Sequence, residues 1–184
     1  MALMEIRLYG DPVLEKKGRK VAEVDDRIRK LVADMYETMK AEPGIGLAAP
    51  QVGESLQLAL VDLSAGEDPD KLMVMVNPEI VEMEGEQREE EGCLSFPGIY
   101  GFVHRPARVK VRFHDLEGKV HEVEGTELLA RAFCHEIDHL NGELFINKMS
   151  PLKRKMVIKT IRKMQKDGTW GKSDAPSDHP AEIG

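Results

Sequence analysis

Residues 125–142 read GTELLARAFCHEIDHLNG and show the clearest helical pattern in the chain. Thr126 can cap the amino end of a helix, because its hydroxyl can accept a hydrogen bond from a free backbone N–H group. Asn141 and the glycine after it form a typical stop signal. The pattern therefore predicts a helix over residues 127–140.

This helix contains the motif His135-Glu136-Ile-Asp-His139. Residues four positions apart lie on the same face of a helix, so both imidazoles can reach a single metal ion. Glu136 lies beside them and is not needed as a ligand. A solvated salt bridge is the default interpretation of Asp138, and a position beside the metal ligands, paired with Arg105, is the alternative. The alternative for both histidines is that they are surface residues of an amphipathic helix.

A catalytic metal site needs a third protein ligand and an open position for water or substrate. The chain has two cysteines, Cys93 and Cys134. Cys134 points about 100° around the helix from His135, on the side away from His139, which disfavours it. Cys93 is the better candidate, since Gly92 before it permits a close approach of the backbone. A lone buried cysteine is more often a small apolar core residue, and that alternative stays open.

Two further helices are predicted. A stripe of apolar residues begins after residues 24–26 and ends at residues 42–44, with the spacing of one buried helix face. Ser150 and Pro151 supply a cap and a first-turn proline for a helix through Lys166. Its expected buried side consists of Leu152, Met156, Val157, Ile161 and Met164.

Short apolar segments bounded by Gly, Pro, Asn or Asp predict β-strands. They are residues 56–63, 73–76, 80–83, 107–114 and 119–124. The last two alternate apolar and polar residues around a turn, which is typical of a β-hairpin with one solvated face. Residues 82–92, with six Glu and one Arg, are interpreted as a solvated acidic loop except for the last few. Three helices around short, mostly antiparallel strands predict an α+β domain with the metal-binding helix at its centre.

Composition limits the class of protein. A length of 184 residues is enough for one domain, and 41% hydrophobic with 32% charged residues is typical of a globular chain. The first ten residues lack the basic and apolar blocks of a signal peptide, and no run of 18 apolar residues occurs, so we expect a cytoplasmic protein without a membrane anchor. Residues 1–167 are expected to form the domain and residues 168–184 a disordered tail, because the tail is poor in apolar residues.

Charge is distributed unevenly along the chain. The net charge is −7, yet residues 153–166 contain seven Lys or Arg and no acidic residue, which leaves 19 basic against 33 acidic residues elsewhere. The acidic body disfavours DNA and general nucleic-acid binding. The basic helix is either a solvated face or a local docking face.

Three motifs, taken in their order, resemble the peptide deformylase family, whose members remove the N-formyl group from new bacterial polypeptides. They are GIGLAAPQ at residues 44–51, EGCLS at residues 91–95 and HEIDH at residues 135–139. The resemblance covers roughly residues 5–165. Cys134 departs from the family pattern, which often has Gln before the first histidine.

The resemblance implies a metal-ligand set of Cys93, His135 and His139. It also implies that Glu136 transfers the proton of the attacking water, and that the Gln51 amide and the Leu94 backbone N–H stabilise the oxyanion. Ligand type alone favours zinc. The family favours Fe²⁺, which Zn²⁺, Ni²⁺ or Co²⁺ often replaces in purified samples.

An apolar pocket for the methionine side chain of the substrate is expected near the metal. Leu128 and Ala132 lie seven and three positions before the first motif histidine, on the same helix face. With Ile45 and Leu94 they are candidate wall residues. The backbone around Gly46 is expected to lie along the substrate peptide. An ordinary role in the helix core stays open for Leu128.

Two other classes of protein remain open. A zinc metallopeptidase would use both histidines with a downstream carboxylate, but Glu143 lies too close behind the helix stop. A deformylase-like protein without turnover would lack Glu136, which is present. In the enzyme interpretation, the partners are nascent formyl-methionyl polypeptides and the ribosome surface, contacted through the basic helix of residues 153–166.

Overall fold

The computed structural model describes residues 2–172 and 182–184, and three α-helices lie in these residues. They are α1 (Asp26–Ala41), α2 (Glu127–Leu140) and α3 (Pro151–Asp167). The Asp25 carboxylate accepts a hydrogen bond from the Ile28 N–H at 3.0 Å and thereby caps α1. The bounds predicted for α2 are confirmed, although the Thr126 side chain makes no capping hydrogen bond.

Seven strands form two sheets within the described residues. Their bounds are β1 (Gly46–Ala48), β2 (Leu58–Val61), β3 (Met73–Glu84), β4 (Gln87–Gly92), β5 (Tyr100–Arg105), β6 (Arg108–His114) and β7 (Val120–Thr126). The larger sheet has the order β1-β2-β3-β6-β7, and β4 and β5 form the smaller one. Every pair of neighbours is antiparallel. The α+β prediction and the predicted hairpin, β6 with β7, are confirmed.

Helix α2 is the central element of the domain. It contacts β1, β2 and β7 of the larger sheet. Phe133 and Leu140 are fully buried there, and each such side chain stabilises the fold by about 1.5–3 kcal/mol. Because α2 is buried along most of its length, the polar residues of its motif are also removed from water.

Two predicted strands, residues 73–76 and 80–83, form the single strand β3. Asn77 interrupts the pattern between them with a φ of +51°, a region that Asn tolerates better than most residues. Its side-chain amide makes two hydrogen bonds of 2.9 Å with the backbone of Val21. The break in the apolar pattern therefore marks an irregularity within a strand rather than a turn.

The acidic segment is not a loop, so that prediction was wrong. Its residues end β3 and form β4, which pairs along its whole length with β5. Arg88 lies 4.7 Å from the centre of the Phe102 ring on the neighbouring strand, a cross-strand contact of the kind that stabilises sheets. Charge density alone therefore gives no information on backbone pairing.

Helix α3 packs only part of its predicted apolar side against the domain. Val157 and Ile161 are buried, whereas Leu152 and Met156 are 71% and 56% exposed. The prediction for Leu152 and Met156 was wrong, because the contact stripe runs through Val157 and Ile161, about 100° around the helix from Met156.

Residues 169–172 follow α3 and contact the domain. The Trp170 indole N–H donates to the Tyr9 carbonyl at 3.1 Å, and its ring packs edge-on against Phe96. Residues 173–181 lie outside the described residues, and the division into a domain of residues 1–167 and a tail stays a prediction. The described helices include none with the length and apolar character that crossing a membrane requires.

Candidate metal centre

The three residues predicted to hold a metal lie together in the protein interior. Cys93 Sγ and one ring nitrogen each of His135 and His139 lie within 4.8 Å of one another, and all three residues are buried. The Sγ atom is 3.5 Å from His139 Nε2. Cys134 is not part of this group and lies in an apolar cluster instead.

Two elements bring the ligands together. Successive turns of α2 place the two histidines on one face, with their ring centres 4.9 Å apart. Cys93 follows directly after β4, where Gly92 is needed: a Cβ on Gly92 would lie 2.5 Å from the Tyr100 ring on β5. The pairing of β4 with β5 therefore positions the Cys93 thiol beside α2.

A buried network of charges fixes the orientation of His135. Arg105 donates to both oxygens of Glu91 at 3.0 and 3.1 Å and to Asp138 at 2.6 Å, so the alternative named for Asp138, a pairing with Arg105, is present. Glu91 in turn accepts from His135 Nδ1 at 3.1 Å. With the proton held on Nδ1, the Nε2 atom keeps its lone pair for a metal ion.

The protonation states suit this arrangement. Burial alone would raise the pKa of Glu91, but the hydrogen bond from His135 and the charge of Arg105 outweigh it, so this pKa lies below its ordinary value. Burial and the charge of His135 hold the pKa of His139 well below its ordinary value, so its ring is neutral. Burial raises the pKa of the Cys93 thiol, whose proton must leave when a metal binds.

The ring nitrogens of both histidines lie close to one backbone oxygen. The Gly184 oxygen lies 2.7 Å from His135 Nε2 and 3.4 Å from His139 Nε2. Two acceptor atoms 2.7 Å apart repel unless a proton or a cation lies between them. Burial lowers the pKa of His135, but hydrogen bonds with Cys93 and Glu91 raise it well above its ordinary value. His135 can therefore carry the proton that lies between its Nε2 atom and the Gly184 oxygen. A divalent ion would replace that proton. The site offers such an ion a suitable set of donor atoms, namely one sulfur, two imidazole nitrogens and one oxygen.

Glu136 differs from the other charged groups of the centre. It is fully buried, and neither of its carboxylate oxygens has a hydrogen-bond partner among the described residues. A Cβ on Gly46 would lie 2.4 Å from Oε2, so the glycine of β1 leaves the space that this carboxylate occupies. Burial raises the pKa of Glu136 to about 7. A carboxylate with free acceptors and a pKa near neutrality is suited to proton transfer.

Gln51 and Leu94 flank the thiol. The Gln51 carbonyl accepts from the Ala48 N–H at 3.0 Å, which turns its amide N–H group toward Ser95 Oγ at 3.1 Å and Cys93 Sγ at 3.8 Å. The Leu94 N–H donates to the Gly184 oxygen at 3.3 Å. Both donors therefore face the space beside the ligands.

The candidate pocket residues are placed less uniformly. Ile45 and Ala132 are buried in the same apolar cluster as Ile183, and Leu94 lies in a neighbouring cluster. Leu128 is 39% exposed, and its role in the pocket stays a prediction.

Sequence reasoning missed two features of this centre. Glu91 opens the EGCLS motif but has no role in the sequence analysis, although its position two residues before Cys93 could have indicated one beside the metal. Residues 182–184 had no sequence signal that relates them to the site, yet their backbone lies against both histidines.

A thiol and two imidazoles lie together beside a buried glutamate that has no hydrogen-bond partner among the described residues, which is the arrangement of a metal-dependent hydrolase. Comparison with known proteins makes the assignment specific. Residues 3–155 match the family described as polypeptide deformylase, and the chain belongs to this family. Its members are enzymes that remove the N-formyl group from newly made polypeptides.

Relatives and solved structures agree with this family. The peptide deformylase of Acidobacterium capsulatum is 51% identical over 170 residues, which cover 92% of this chain and all of the relative. A peptide deformylase structure from Legionella pneumophila is 40% identical with a TM-score of 0.84, covering 95% of this chain and 99% of that one. The Ehrlichia chaffeensis enzyme, solved in complex with actinonin, is 35% identical with a TM-score of 0.81, covering 90% and 99%.

Proposed function

We propose that this chain removes the formyl group from the N-terminal formyl-methionine of nascent polypeptides through a metal ion held by Cys93, His135 and His139. The observation that supports this most is the convergence of these three ligand atoms, within 4.8 Å of one another, beside a glutamate with no hydrogen-bond partner among the described residues. A divalent ion bound there supplies a Lewis acid, which lowers the pKa of water and polarises a carbonyl oxygen.

Glu136 performs the proton transfers in this mechanism. It takes a proton from the water whose oxygen adds to the formyl carbon, and its raised pKa matches that task near neutral pH. It then delivers the proton to the amine nitrogen as the carbon–nitrogen bond breaks. The products are formate and a polypeptide with a free amino group.

Two donors stabilise the negative charge that develops on the former carbonyl oxygen. The Leu94 N–H already donates to an oxygen beside both histidines. The Gln51 amide is held by its bond from Ala48 and points its N–H group toward the thiol side of the same space. Donors fixed before the reaction cost no reorganisation, and the loss of one typically lowers kcat by about 10²- to 10³-fold.

Substrate recognition depends on apolar residues and on backbone in this proposal. Ile45, Leu94, Leu128 and Ala132 form the pocket for the unbranched methionine side chain. The backbone at Gly46 lies along the substrate peptide, and the absence of a side chain there also leaves room for the Glu136 carboxylate.

The working metal in this proposal is Fe²⁺. One thiolate with two imidazoles is a common zinc set, so the donor atoms alone favour zinc. The resemblance to the family supports iron, and Zn²⁺, Ni²⁺ or Co²⁺ is expected to replace it in purified samples.

Formate release tests the proposed function. Protein loaded anaerobically with Fe²⁺ is expected to release formate from a formyl-methionyl tripeptide and to leave the acetylated tripeptide intact, because the narrow space beside Glu136 excludes a larger acyl group. The two substrates differ by one methyl group. Metal content is measured on the same sample, and a metal-replete protein that released no formate would refute the proposal.

The basic helix supplies the second part of the proposal, a cytoplasmic protein that works at the ribosome. The side chains of Lys155, Lys159, Arg162, Lys163 and Lys166 are all exposed on α3. They repeat at intervals of three or four and so gather on one side of the helix. Phosphate groups cover much of the ribosome surface, and cationic side chains bind them in a salt-dependent manner.

Charge reversal on this face is expected to weaken binding to ribosomes. Replacing Lys159, Arg162 and Lys163 by Glu should reduce co-sedimentation with ribosomes at low salt, because attraction to phosphate becomes repulsion. Hydrolysis of a short free peptide should not change.

Lys16, Lys17 and Lys20 provide the matched control, since they are also exposed and their replacement by Glu changes the net charge equally. If both triple variants co-sedimented equally with ribosomes, the basic side of α3 would be a solvated face and not a docking face.

A further inference from the structure

The chain places its own residues 182–184 in the candidate active site. The Gly184 oxygen lies beside both metal-ligand histidines and accepts the Leu94 N–H at 3.3 Å. This N–H is the donor assigned above to the reacting carbonyl oxygen. In the proposed mechanism, the Gly184 oxygen therefore lies where the reacting carbonyl oxygen would be stabilised.

The residue before it takes the position of the substrate backbone and side chain. The Ile183 N–H donates to the Gly92 carbonyl at 3.2 Å, at the end of β4. Its side chain is only 3% exposed and lies in the same apolar cluster as Ile45 and Ala132. Both are residues of the proposed methionine pocket.

Two further contacts define the fit of this segment. A Cβ on Gly184 would lie 2.3 Å from Glu136 Oε2 and 2.5 Å from the Gly46 carbonyl oxygen, so the position admits only glycine. The Tyr100 hydroxyl donates to a carboxylate oxygen of Glu182 at 3.2 Å. Each of residues 182–184 therefore has its own contact in the candidate active site, which is the groove proposed to bind the substrate peptide.

The direction of the segment explains how it can bind without reacting. A substrate reaches the metal with its amino end, where the formyl group is attached. Residues 182–184 approach with the opposite polarity, since Gly184 lies at the ligands and Ile183 precedes it. The segment fills the oxygen position and the side-chain pocket, but it presents no N-formyl group to Glu136.

We propose that residues 182–184 are an autoinhibitory segment that competes with the formyl-peptide substrate for this groove. This inference rests on the proposed function for the roles of Leu94 and the pocket. The segment belongs to the same chain, so even a weak contact benefits from a high effective concentration. If nine tenths of the molecules hold the segment in the groove, the apparent KM is raised about tenfold.

Releasing the segment is expected to lower KM without changing kcat. Ile183→Asp would place a charge in an apolar pocket, which strongly disfavours the bound conformation. Gly184→Val also disfavours the bound conformation, because its side chain would collide with Glu136. Val120→Asp is the matched control, because it introduces the same charge at an exposed residue of β7.

Formate release with the Fe²⁺-loaded full chain gives the first readout. The KM of Ile183→Asp and Gly184→Val is expected to fall several-fold, and that of Val120→Asp to equal the parent value. Hydrogen–deuterium exchange over residues 92–95 gives the second, since the Leu94 N–H loses its acceptor only in the first two variants.

The two readouts separate the possible failures. Unchanged KM values together with unchanged exchange at residues 92–95 would overturn the autoinhibitory segment while leaving the proposed function intact. Faster exchange without any formate release from any protein would refute the proposed function instead. Faster exchange with an unchanged KM would also overturn the inference, because a segment that leaves the groove freely does not compete.

Discussion

The Glu136→Gln variant is expected to retain its metal and to lose about 10²- to 10⁴-fold in kcat, the usual effect of removing a general acid–base group. The amide has nearly the shape of the carboxylate but cannot accept the proton of water. Glu136 is not among the grouped ligand atoms, so metal content should stay at the parent value. Metal analysis and steady-state formate release on one anaerobic sample measure both quantities.

The structure makes this substitution an informative test. Both Glu136 oxygens lack a hydrogen-bond partner among the described residues, so the change breaks no bond that supports the fold. Glu143→Gln is the matched control: it makes the same chemical change just past the end of α2, on an exposed residue. A fully active, metal-replete Glu136→Gln variant would remove Glu136 from the mechanism.

Local signals explain why α2 could be predicted from the sequence. Its bounds follow from residues near its own ends, above all Asn141, whose backbone N–H bonds to the last turn. The placement of His135 and His139 on one face follows from helix geometry alone. No distant part of the chain has to be known for either conclusion.

Other parts of the fold depend on partners far away in sequence. Strand β4 consists mostly of charged residues, and it is a strand because β5 pairs with it. Arg105 of β5 then crosses to Glu91 and Asp138, and its burial is tolerated because two carboxylates surround it. The sequence pattern names Asp138 as a candidate partner of Arg105, but read one segment at a time it contains neither the pairing of β4 with β5 nor the contact of Arg105 with Glu91.

The same reason applies to α3 and to residues 182–184. The periodicity of α3 indicates an apolar stripe, but which of its apolar residues meet the domain depends on how the helix lies. Leu152 is exposed although it fits the stripe. Ile183 stands in a polar segment with no periodicity, so its burial against α2 results from tertiary contacts alone.

Replacing Cys93 by Ala is expected to abolish metal retention and, with it, activity. Two neutral imidazoles lack the negative charge and the third donor that hold a divalent ion. Disturbing a partner outside the ligands typically lowers metal affinity by about 10- to 100-fold, and loss of a ligand should exceed that. Metal bound per protein after dialysis, measured by elemental analysis, checks the prediction.

Cys134→Ala provides the matched control, because Cys134 is also buried, at 4% exposure, but lies outside the ligand group. Burial raises the pKa of both thiols, that of Cys134 to about 11, so the control differs from Cys93 in lying outside the ligand group. Both variants remove one sulfur atom from the core, and the cost of the small cavity is similar in each. A difference in metal retention between them therefore reports ligation rather than packing. Retention in Cys93→Ala with loss in Cys134→Ala would show that the ligand set is wrong.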